Sequence, residues 1–189
     1  VGDEYLGRDK RFGDWRDTHL LMKGPAVEAV QLVFLEDWFW ACDRVPELAW
    51  AGVAEEADQI AAVIPTGPAD PLDSWKLLVS EAANSARKKL WIASPYFVPD
   101  EGIMTALQLA TIRGVDVRIM LPDRADHILV WLSAYTYYEQ AIPYGVKIFR
   151  YQRGFLHQKV ILIDDRMAAV GTANLDNRSF RLNFEITAF

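Results

Sequence analysis

Two residues near the carboxyl end of the sequence could act together on a phosphate group. His157 and Lys159 are separated by one residue, and residues two apart in a β-strand point to the same side. An ammonium group beside an imidazole would bind a phosphate oxygen while the ring transfers a proton or attacks phosphorus. The spacing therefore predicts chemistry at a phosphodiester.

Three further polar residues follow on predicted neighbouring strands. Thr172 and Asn174 are again two apart, so a hydroxyl and an amide could bind the same anion. Glu185, on the next strand, could accept a hydrogen bond from the second ring nitrogen of His157 and fix its tautomer. A single His or Lys is usually a packed or solvated side chain, but five such groups at these offsets indicate an active site.

Asp164 completes the pattern His157-x-Lys159-x4-Asp164 and falls at a predicted hairpin turn. Its odd offset from His157 would point it away from the site in a continuous strand, so we expect it to brace the loop. No His, Asp or Glu cluster has metal-ligand spacing, and one cysteine, Cys42, cannot form a cysteine-based metal site. We therefore expect no metal and no other cofactor, with Lys159 and Asn174 in place of a cation.

Strands and helices of ordinary length alternate along the chain. The predicted strands cover residues 15–23, 59–64, 89–93, 115–121, 146–151, 155–163, 167–170 and 183–189. The predicted helices cover residues 72–87, 99–113 and 125–141, and one more begins at Pro25. This order predicts an α/β fold, a mixed sheet flanked by helices in an α-β-α sandwich. Residues 155–163 and 167–170 should form a hairpin.

The helix that begins at Pro25 has an apolar stripe that ends in Trp38, Phe39 and Trp40. These rings could lie at a membrane interface, but no basic residues flank them, so we interpret the stripe as a buried helix face. No apolar run reaches the roughly 18 residues that cross a bilayer.

Charge is distributed unevenly along the chain. Residues 1–81 hold seven Lys and Arg against 16 Asp and Glu, whereas residues 146–189 hold seven against four. A nucleic-acid binder usually has a broad basic face, which this chain lacks. The local positive charge near His157 suits one anionic group, and we expect no nucleic-acid partner.

The pattern around His157 resembles the signature of the phospholipase D superfamily, H-x-K-x4-D followed by G-[ST]-x-N and a Glu. The segments FLHQKVILIDD, VGTANLDNRSF and SPYFVPDEG are similar to bacterial cardiolipin synthases, and the likeness extends over nearly the whole chain. In that family two such motifs, one per half, meet across a pseudo-twofold axis. One His attacks phosphorus to form a phosphohistidine, the other protonates the departing alcohol, and an acceptor alcohol resolves the intermediate.

The resemblance implies roles for the residues at matching positions. His157 would be a catalytic His, Lys159 and Asn174 would bind phosphate oxygens, and Thr172 stands where the family has Ser or Thr. Glu185 would orient His157. We assign His157 to the proton-donor role, and the nucleophilic role is the alternative. The implied reaction joins two phosphatidylglycerol molecules into cardiolipin and releases glycerol.

The chain departs from the family because it has only one H-x-K; His19 and His127 have no Lys two residues later. We therefore expect a fragment that is inactive alone, with residues 1–63 from the N-terminal half and residues 64–189 as the C-terminal catalytic half. The best boundary lies near residues 52–58. The missing half with the first motif, or a second copy of the chain, would complete the site.

The resemblance also implies that the full-length protein lies at the bacterial inner membrane and acts on anionic phospholipid at the membrane surface. Two other functions stay open. A single-motif phosphodiesterase, a nuclease or a phospholipase, would build its site as a homodimer. A non-catalytic module would only bind lipid head groups.

Overall fold

The computed structural model describes residues 2–50, 59–124, 126 and 128–189. The boundary predicted near residues 52–58 and the side chain of His127 lie outside the described residues. Within the described part of the chain, no helix combines the length and apolarity that crossing a bilayer requires.

A mixed β-sheet forms the centre of the fold. The strands are β1 (Trp15–Arg16), β2 (Val63–Thr66), β3 (Lys89–Ala93), β4 (Phe97–Val98), β5 (Asp116–Pro122), β6 (Lys147–Tyr151), β7 (Phe155–Leu156), β8 (Val160–Ile163), β9 (Met167–Gly171), β10 (Leu175–Asp176) and β11 (Glu185–Ala188). Seven of them form one sheet in the order β2-β11-β9-β8-β3-β5-β6. Strands β3, β5 and β6 are mutually parallel, and the remaining neighbours are antiparallel. Two short parallel pairs, β1–β7 and β4–β10, lie outside this sheet.

Helices pack against this sheet. They are α1 (Ala26–Cys42), α2 (Ser74–Ser85), α3 (Glu101–Ile112), α4 (Ile128–Ala141) and α5 (Asn177–Arg181), with a 3₁₀ turn at Ile142–Tyr144. In β3, Leu90 and Ile92 are buried while Trp91 between them is half-buried, as the period of two in a strand requires. Leu107 of α3 is fully buried in the same core. The predicted α/β class, a mixed sheet flanked by helices, is confirmed.

The two ends of helix α3 are determined by residues next to them in the sequence. The Asp100 carboxylate accepts a hydrogen bond of 3.0 Å from the Ile103 N–H and so satisfies one of the free donors at the helix start. Gly114, with φ +89°, adopts the left-handed conformation that ends helices without steric cost. The helix predicted over residues 99–113 is observed at Glu101–Ile112.

The opposite face of the central strands is partly open. A groove of about 260 Å³ lies over β3, β5, β6 and β8. Its lining includes Trp91, Arg118, Met120, Phe149 and Leu162. Met120, Phe149 and Leu162 are 39%, 42% and 41% exposed, which is high for large apolar residues on a central sheet.

The expected burial of the α1 apolar stripe is wrong. None of the 17 residues of α1 is buried, and Trp38 and Trp40 are 41% and 66% exposed. An apolar stripe is buried only where another element covers it. Helix α1 lies against the edge strand β2 and places Trp40 6.3 Å from the Phe184 ring, so the described residues leave most of its surface uncovered. The helix ends at Cys42, whose side chain is exposed.

The continuous strand predicted over residues 155–163 is also wrong, because the chain bends between β7 and β8. Strand β7 leaves the central sheet and pairs in parallel with β1, and β8 pairs with β3 and β9. The predicted hairpin is confirmed as β8–β9. The predicted strand over residues 15–23 is limited to the two residues that contact β7.

Candidate active site

His157 and Lys159 lie at the bend between β7 and β8. The His157 N–H donates a hydrogen bond of 2.9 Å to the Arg16 carbonyl, which continues the β1–β7 pairing into the motif. On the other side of the bend, the Lys159 carbonyl accepts a bond of 3.2 Å from the Gly171 N–H. The Lys159 Nζ lies 2.9 Å from Nδ1 and 3.0 Å from Nε2 of His157. The two side chains therefore meet, although the strand that was expected to align them is broken.

Burial lowers the pKa of both side chains, and the Lys159 charge also lowers the pKa of His157. Burial lowers the pKa of Lys159 to about 8, against the attraction of four carboxylates, those of Asp17, Glu185, Asp126 and Asp176. Burial also lowers the pKa of His157, and the Lys159 charge lowers it further. The site therefore holds a neutral imidazole beside an ammonium group near neutral pH, and an anion bound there would stabilise the charged form of both.

The carboxylate that contacts the imidazole belongs to Asp17, a residue that sequence reasoning missed. Its Oδ2 lies 3.3 Å from His157 Nδ1. Burial alone would raise the pKa of Asp17, but hydrogen bonds from the Thr18 N–H and from His157, together with the Lys159 charge, lower it. The Thr18 hydroxyl also donates a bond of 3.0 Å to the Gln158 side chain. The segment after β1 therefore holds two successive residues of the motif.

The expected contact between Glu185 and His157 is wrong. The Glu185 Oε1 accepts hydrogen bonds of 2.9 Å from the Ser179 hydroxyl and from the Asn183 amide. Strand β11 is separated from β8 by β9, whereas β1 pairs directly with β7. Asp17 therefore occupies the position that we expected for Glu185, whose carboxylate acts on Lys159 only through longer-range attraction.

Asp164 lies in the β8–β9 turn and points away from the imidazole. Its carboxylate accepts hydrogen bonds from three successive backbone N–H groups, at 2.8, 2.7 and 2.9 Å, those of Arg87, Lys88 and Lys89. These three bonds lower the pKa of Asp164. The turn is thereby attached to the start of β3, the strand that lies beside β8.

Thr172 and Asn174 follow β9, but neither makes a hydrogen bond to His157 or Lys159 in the described structure. The Thr172 hydroxyl accepts a bond of 3.0 Å from the Ile186 N–H and so joins β9 to β11. The Asn174 backbone is held at both ends, by the Ser179 hydroxyl at 2.9 Å and by the Trp75 indole at 2.9 Å. The Asn174 Oδ1 is buried and accepts no hydrogen bond from the described residues, so this oxygen can still accept a bond from another donor.

An aromatic wall lines one side of the imidazole. The Trp15 and Phe155 rings lie 4.9 and 6.1 Å from the His157 ring, and the Tyr5 ring meets it edge-on at 6.4 Å. These rings exclude water from one face of the imidazole and account for part of its burial. Three aromatic residues before position 16 were the only sequence signal for this wall, and their approach to His157 depends on the β1–β7 pairing.

The described residues contain no group of three or more His, Cys, Asp and Glu side chains that could hold a metal ion. The positive charge available to an anion comes from Lys159, and a neutral donor is available from the Asn174 amide. The arrangement can bind one phosphate group and exchange a proton with it through His157.

Known proteins are similar to this chain in sequence and in fold. Residues 79–189 match the family model described as cardiolipin synthase, PLD-like domain. Cardiolipin synthase A from Pseudomonas putida (strain GB-1) is 49% identical over 187 residues, which are 99% of this chain and 39% of that protein. The enzyme of the same name from Pseudomonas aeruginosa (strain LESB58) is 51% identical over 186 residues, 98% of this chain and 38% of that protein. The chain thus spans about two fifths of the length of these curated relatives.

Solved structures agree with the family match. Nuc from Salmonella typhimurium, a phospholipase D family member, has a TM-score of 0.53 and 26% identity, over 68% of this chain and 82% of that one. Phosphatidylserine synthase from Haemophilus influenzae Rd KW20 has a TM-score of 0.52 over 89% of this chain and 42% of that one; at 18% identity it shows the fold alone. With the family model covering more than half of its residues, the chain belongs to the cardiolipin synthase family with a phospholipase-D-like domain.

Proposed function

We propose that this chain supplies one catalytic motif of a phosphatidyltransferase that joins two phosphatidylglycerol molecules into cardiolipin and glycerol. The observation that carries the proposal is the contact between the His157 imidazole and the Lys159 ammonium group in a chain of this family. A buried Lys with a lowered pKa is unfavourable to folding unless an anion binds it. A phosphodiester supplies that anion.

The reaction would proceed by two displacements at phosphorus. An imidazole of a second motif attacks phosphorus, the bond to the glycerol oxygen breaks, and His157 gives its proton to the departing alkoxide. The acceptor alcohol then returns a proton to His157 as its oxygen attacks the phosphohistidine. Lys159 and the Asn174 amide would bind the non-bridging oxygens and stabilise their charge in both transition states.

Two other residues would position this machinery. Asp17, 3.3 Å from Nδ1, would hold the ring so that Nε2 exchanges the proton, as the carboxylate does in other His-based sites. Asp164 would fix the β8–β9 turn, and Thr172 would fix the strand that leads to Asn174 through its bond to β11. The assignment of His157 as proton donor, with the nucleophilic role as the alternative, stays a prediction.

The site needs a second imidazole, so the partner is either the half of the protein that holds the first motif or another copy of this chain. We propose that residues 1–63 belong to the first half and residues 64–189 form the second. The uncovered apolar surface of α1 supports this division, because a helix without a buried residue requires a covering partner to be stable. Anionic phospholipid at a bacterial inner membrane surface would be the substrate, and nucleic acid would not.

A chimera tests the function directly. The chain replaces the 187 residues that it matches in the Pseudomonas putida relative, and cardiolipin formation from phosphatidylglycerol vesicles is measured by mass spectrometry. We expect an active chimera in which His157→Asn lowers turnover by about 100-fold or more. The matched control His19→Asn changes an exposed imidazole and should stay within a few-fold. Turnover within a few-fold for His157→Asn would refute the catalytic assignment and favour a lipid-binding module.

A homodimeric phosphodiesterase is the second candidate. It is favoured by the match to Nuc, because this chain covers 82% of Nuc but only 39% of the cardiolipin synthase relative. The two candidates differ in oligomeric state, because a homodimeric site requires two His157 rings at one axis. Sedimentation of the purified chain, with diester hydrolysis measured on the same samples, distinguishes them: a dimer that cleaves a diester supports the second candidate.

A further inference from the structure

A second polar pair, Tyr96 and Asp126, lies beside the motif and has no role in the two displacements. The Tyr96 hydroxyl donates a short hydrogen bond to the Asp126 Oδ2. Tyr96 is held in place because its N–H donates to the Ser94 hydroxyl at 3.4 Å. Ser94 is itself 2% exposed and accepts a second bond of 3.2 Å from the Leu175 N–H. The phenol is therefore presented from a fixed loop.

Sheet topology brings this pair to the same edge as the motif. Ala93, the last residue of β3, is opposite Val160 in the antiparallel β3–β8 pair and beside Met120 in the parallel β3–β5 pair. The chain beyond β3 leads to Tyr96, the chain before β8 leads back to Lys159, and the chain beyond β5 leads to Asp126. All three therefore leave the sheet at one edge. The Asp126 charge accordingly acts to raise the pKa of both His157 and Lys159, against the larger lowering by burial.

The chemistry of the pair differs from that of a phosphate site. A carboxylate repels a phosphodiester anion but accepts hydrogen bonds from alcohols. A phenol that donates its proton to a carboxylate keeps its own oxygen lone pairs as acceptors. Two such acceptors side by side match two adjacent hydroxyl groups better than they match one hydroxyl or water.

We propose that Tyr96 and Asp126 form a subsite that binds the adjacent hydroxyls of a glycerol head group next to the reacting phosphate. This inference rests on the proposed function for its place in the reaction and names the residues that would select a vicinal diol as acceptor or leaving group. The loss of a hydrogen bond to a charged group typically weakens recognition by about 10-fold or more. The same diol occurs in phosphatidylglycerol and in free glycerol.

Binding to the purified chain tests the subsite without any activity. The tyrosine rings are labelled with ¹³C, Tyr96→Phe identifies the Tyr96 signal, and glycerol or 1-propanol is titrated in. We expect a saturable shift of the Tyr96 signal with glycerol, no saturable shift with 1-propanol, and loss of the glycerol effect in Asp126→Asn. The exposed Tyr144 is the internal control and should drift linearly with both alcohols. A Tyr96 signal that drifts like that of Tyr144 overturns the proposal.

The chimera tests the role in selection. Transfer to phosphatidylglycerol, free glycerol, 1-propanol and water is measured for Tyr96→Phe and Asp126→Asn, with Tyr144→Phe and Asp123→Asn as matched exposed controls. We expect the ratio of glycerol to propanol transfer to fall about 10-fold or more in the first two variants only. An unchanged ratio contradicts the subsite. A chimera that transfers to no alcohol contradicts the proposed function instead, and the titration of the chain still decides the subsite.

Discussion

The Asp17 carboxylate lies 3.3 Å from Nδ1 of His157, although 140 residues separate the two along the chain. The contact exists because β1 and β7 pair in parallel, with Arg16 opposite Leu156. A residue of the N-terminal segment thus takes part in the electrostatics of a motif near the carboxyl end.

Asp17→Asn should move the titration of His157 to lower pH. The Asp17 carboxylate raises the pKa of His157 against the larger lowering by burial and by Lys159, so its removal leaves the lowering effects unopposed. The measurement is the NMR titration of the His157 ring protons, with Asp37→Asn on α1 as the control. In the chimera, the same change should reduce turnover by about 10- to 100-fold. A titration midpoint that does not move would show that the contact is absent in solution.

Lys159→Met should stabilise the chain at pH 7. The folded protein holds Lys159 at a pKa of about 8, below the ordinary value of 10.5, so the unfolded chain binds more protons between these two values. The free energy of unfolding of the wild type therefore rises with pH across that window. After allowance for partial exposure, we expect the variant to gain roughly 2 kcal/mol at pH 7 and to lose most of that gain near pH 11. Urea unfolding at both pH values measures the free energy of unfolding, with Lys88→Met as the exposed control. An equal gain for Lys159→Met at pH 7 and at pH 11 would contradict the prediction.

Asp164→Asn should lower the melting temperature by several degrees, whereas Asp165→Asn should change it little. Both residues have φ near +50°, which Asn tolerates as well as Asp, so the backbone conformation is matched. Asp164 accepts three backbone hydrogen bonds, while Asp165 forms one exposed ion pair with Lys89. Because the pKa of Asp164 is lowered in the folded state, its contribution is present at neutral pH and lost as the carboxylate protonates in acid. In thermal melts at successively lower pH, starting from pH 7, the melting temperatures of the two variants should converge.

Phe34→Ala should cost the isolated chain less than about 1 kcal/mol, whereas Leu107→Ala should cost about 3 kcal/mol. Phe34 is 49% exposed on α1 and Leu107 is fully buried in α3. Denaturant unfolding of the two variants gives both values. In the chimera, Phe34→Ala should become clearly more destabilising, since we propose that the rest of the protein covers α1. If Phe34→Ala has an equally small cost in the isolated chain and in the chimera, the rest of the protein does not cover α1.

Local patterns predicted the regular part of the fold, and long-range pairing determined the rest. Strand β3 occupies residues 89–93 as predicted because its alternation of buried and exposed side chains is contained in five residues. The bend between His157 and Lys159 depends on the pairing of β7 with β1, and no local pattern could indicate that pairing. For the same reason the sequence pointed to Glu185 rather than to Asp17 as the partner of His157. The burial of α1 was misjudged because an apolar stripe shows what a helix can bury, not which element covers it.

The exposed Cys42 at the last residue of α1 has a practical consequence. It is the single cysteine of the sequence, so a thiol-reactive fluorophore attaches at one position without any substitution. The dye would report on the polarity around the end of α1 in the free chain and in a dimer. One labelling reaction thereby gives a spectroscopic reading of whether a dimer encloses the tryptophan-rich helix.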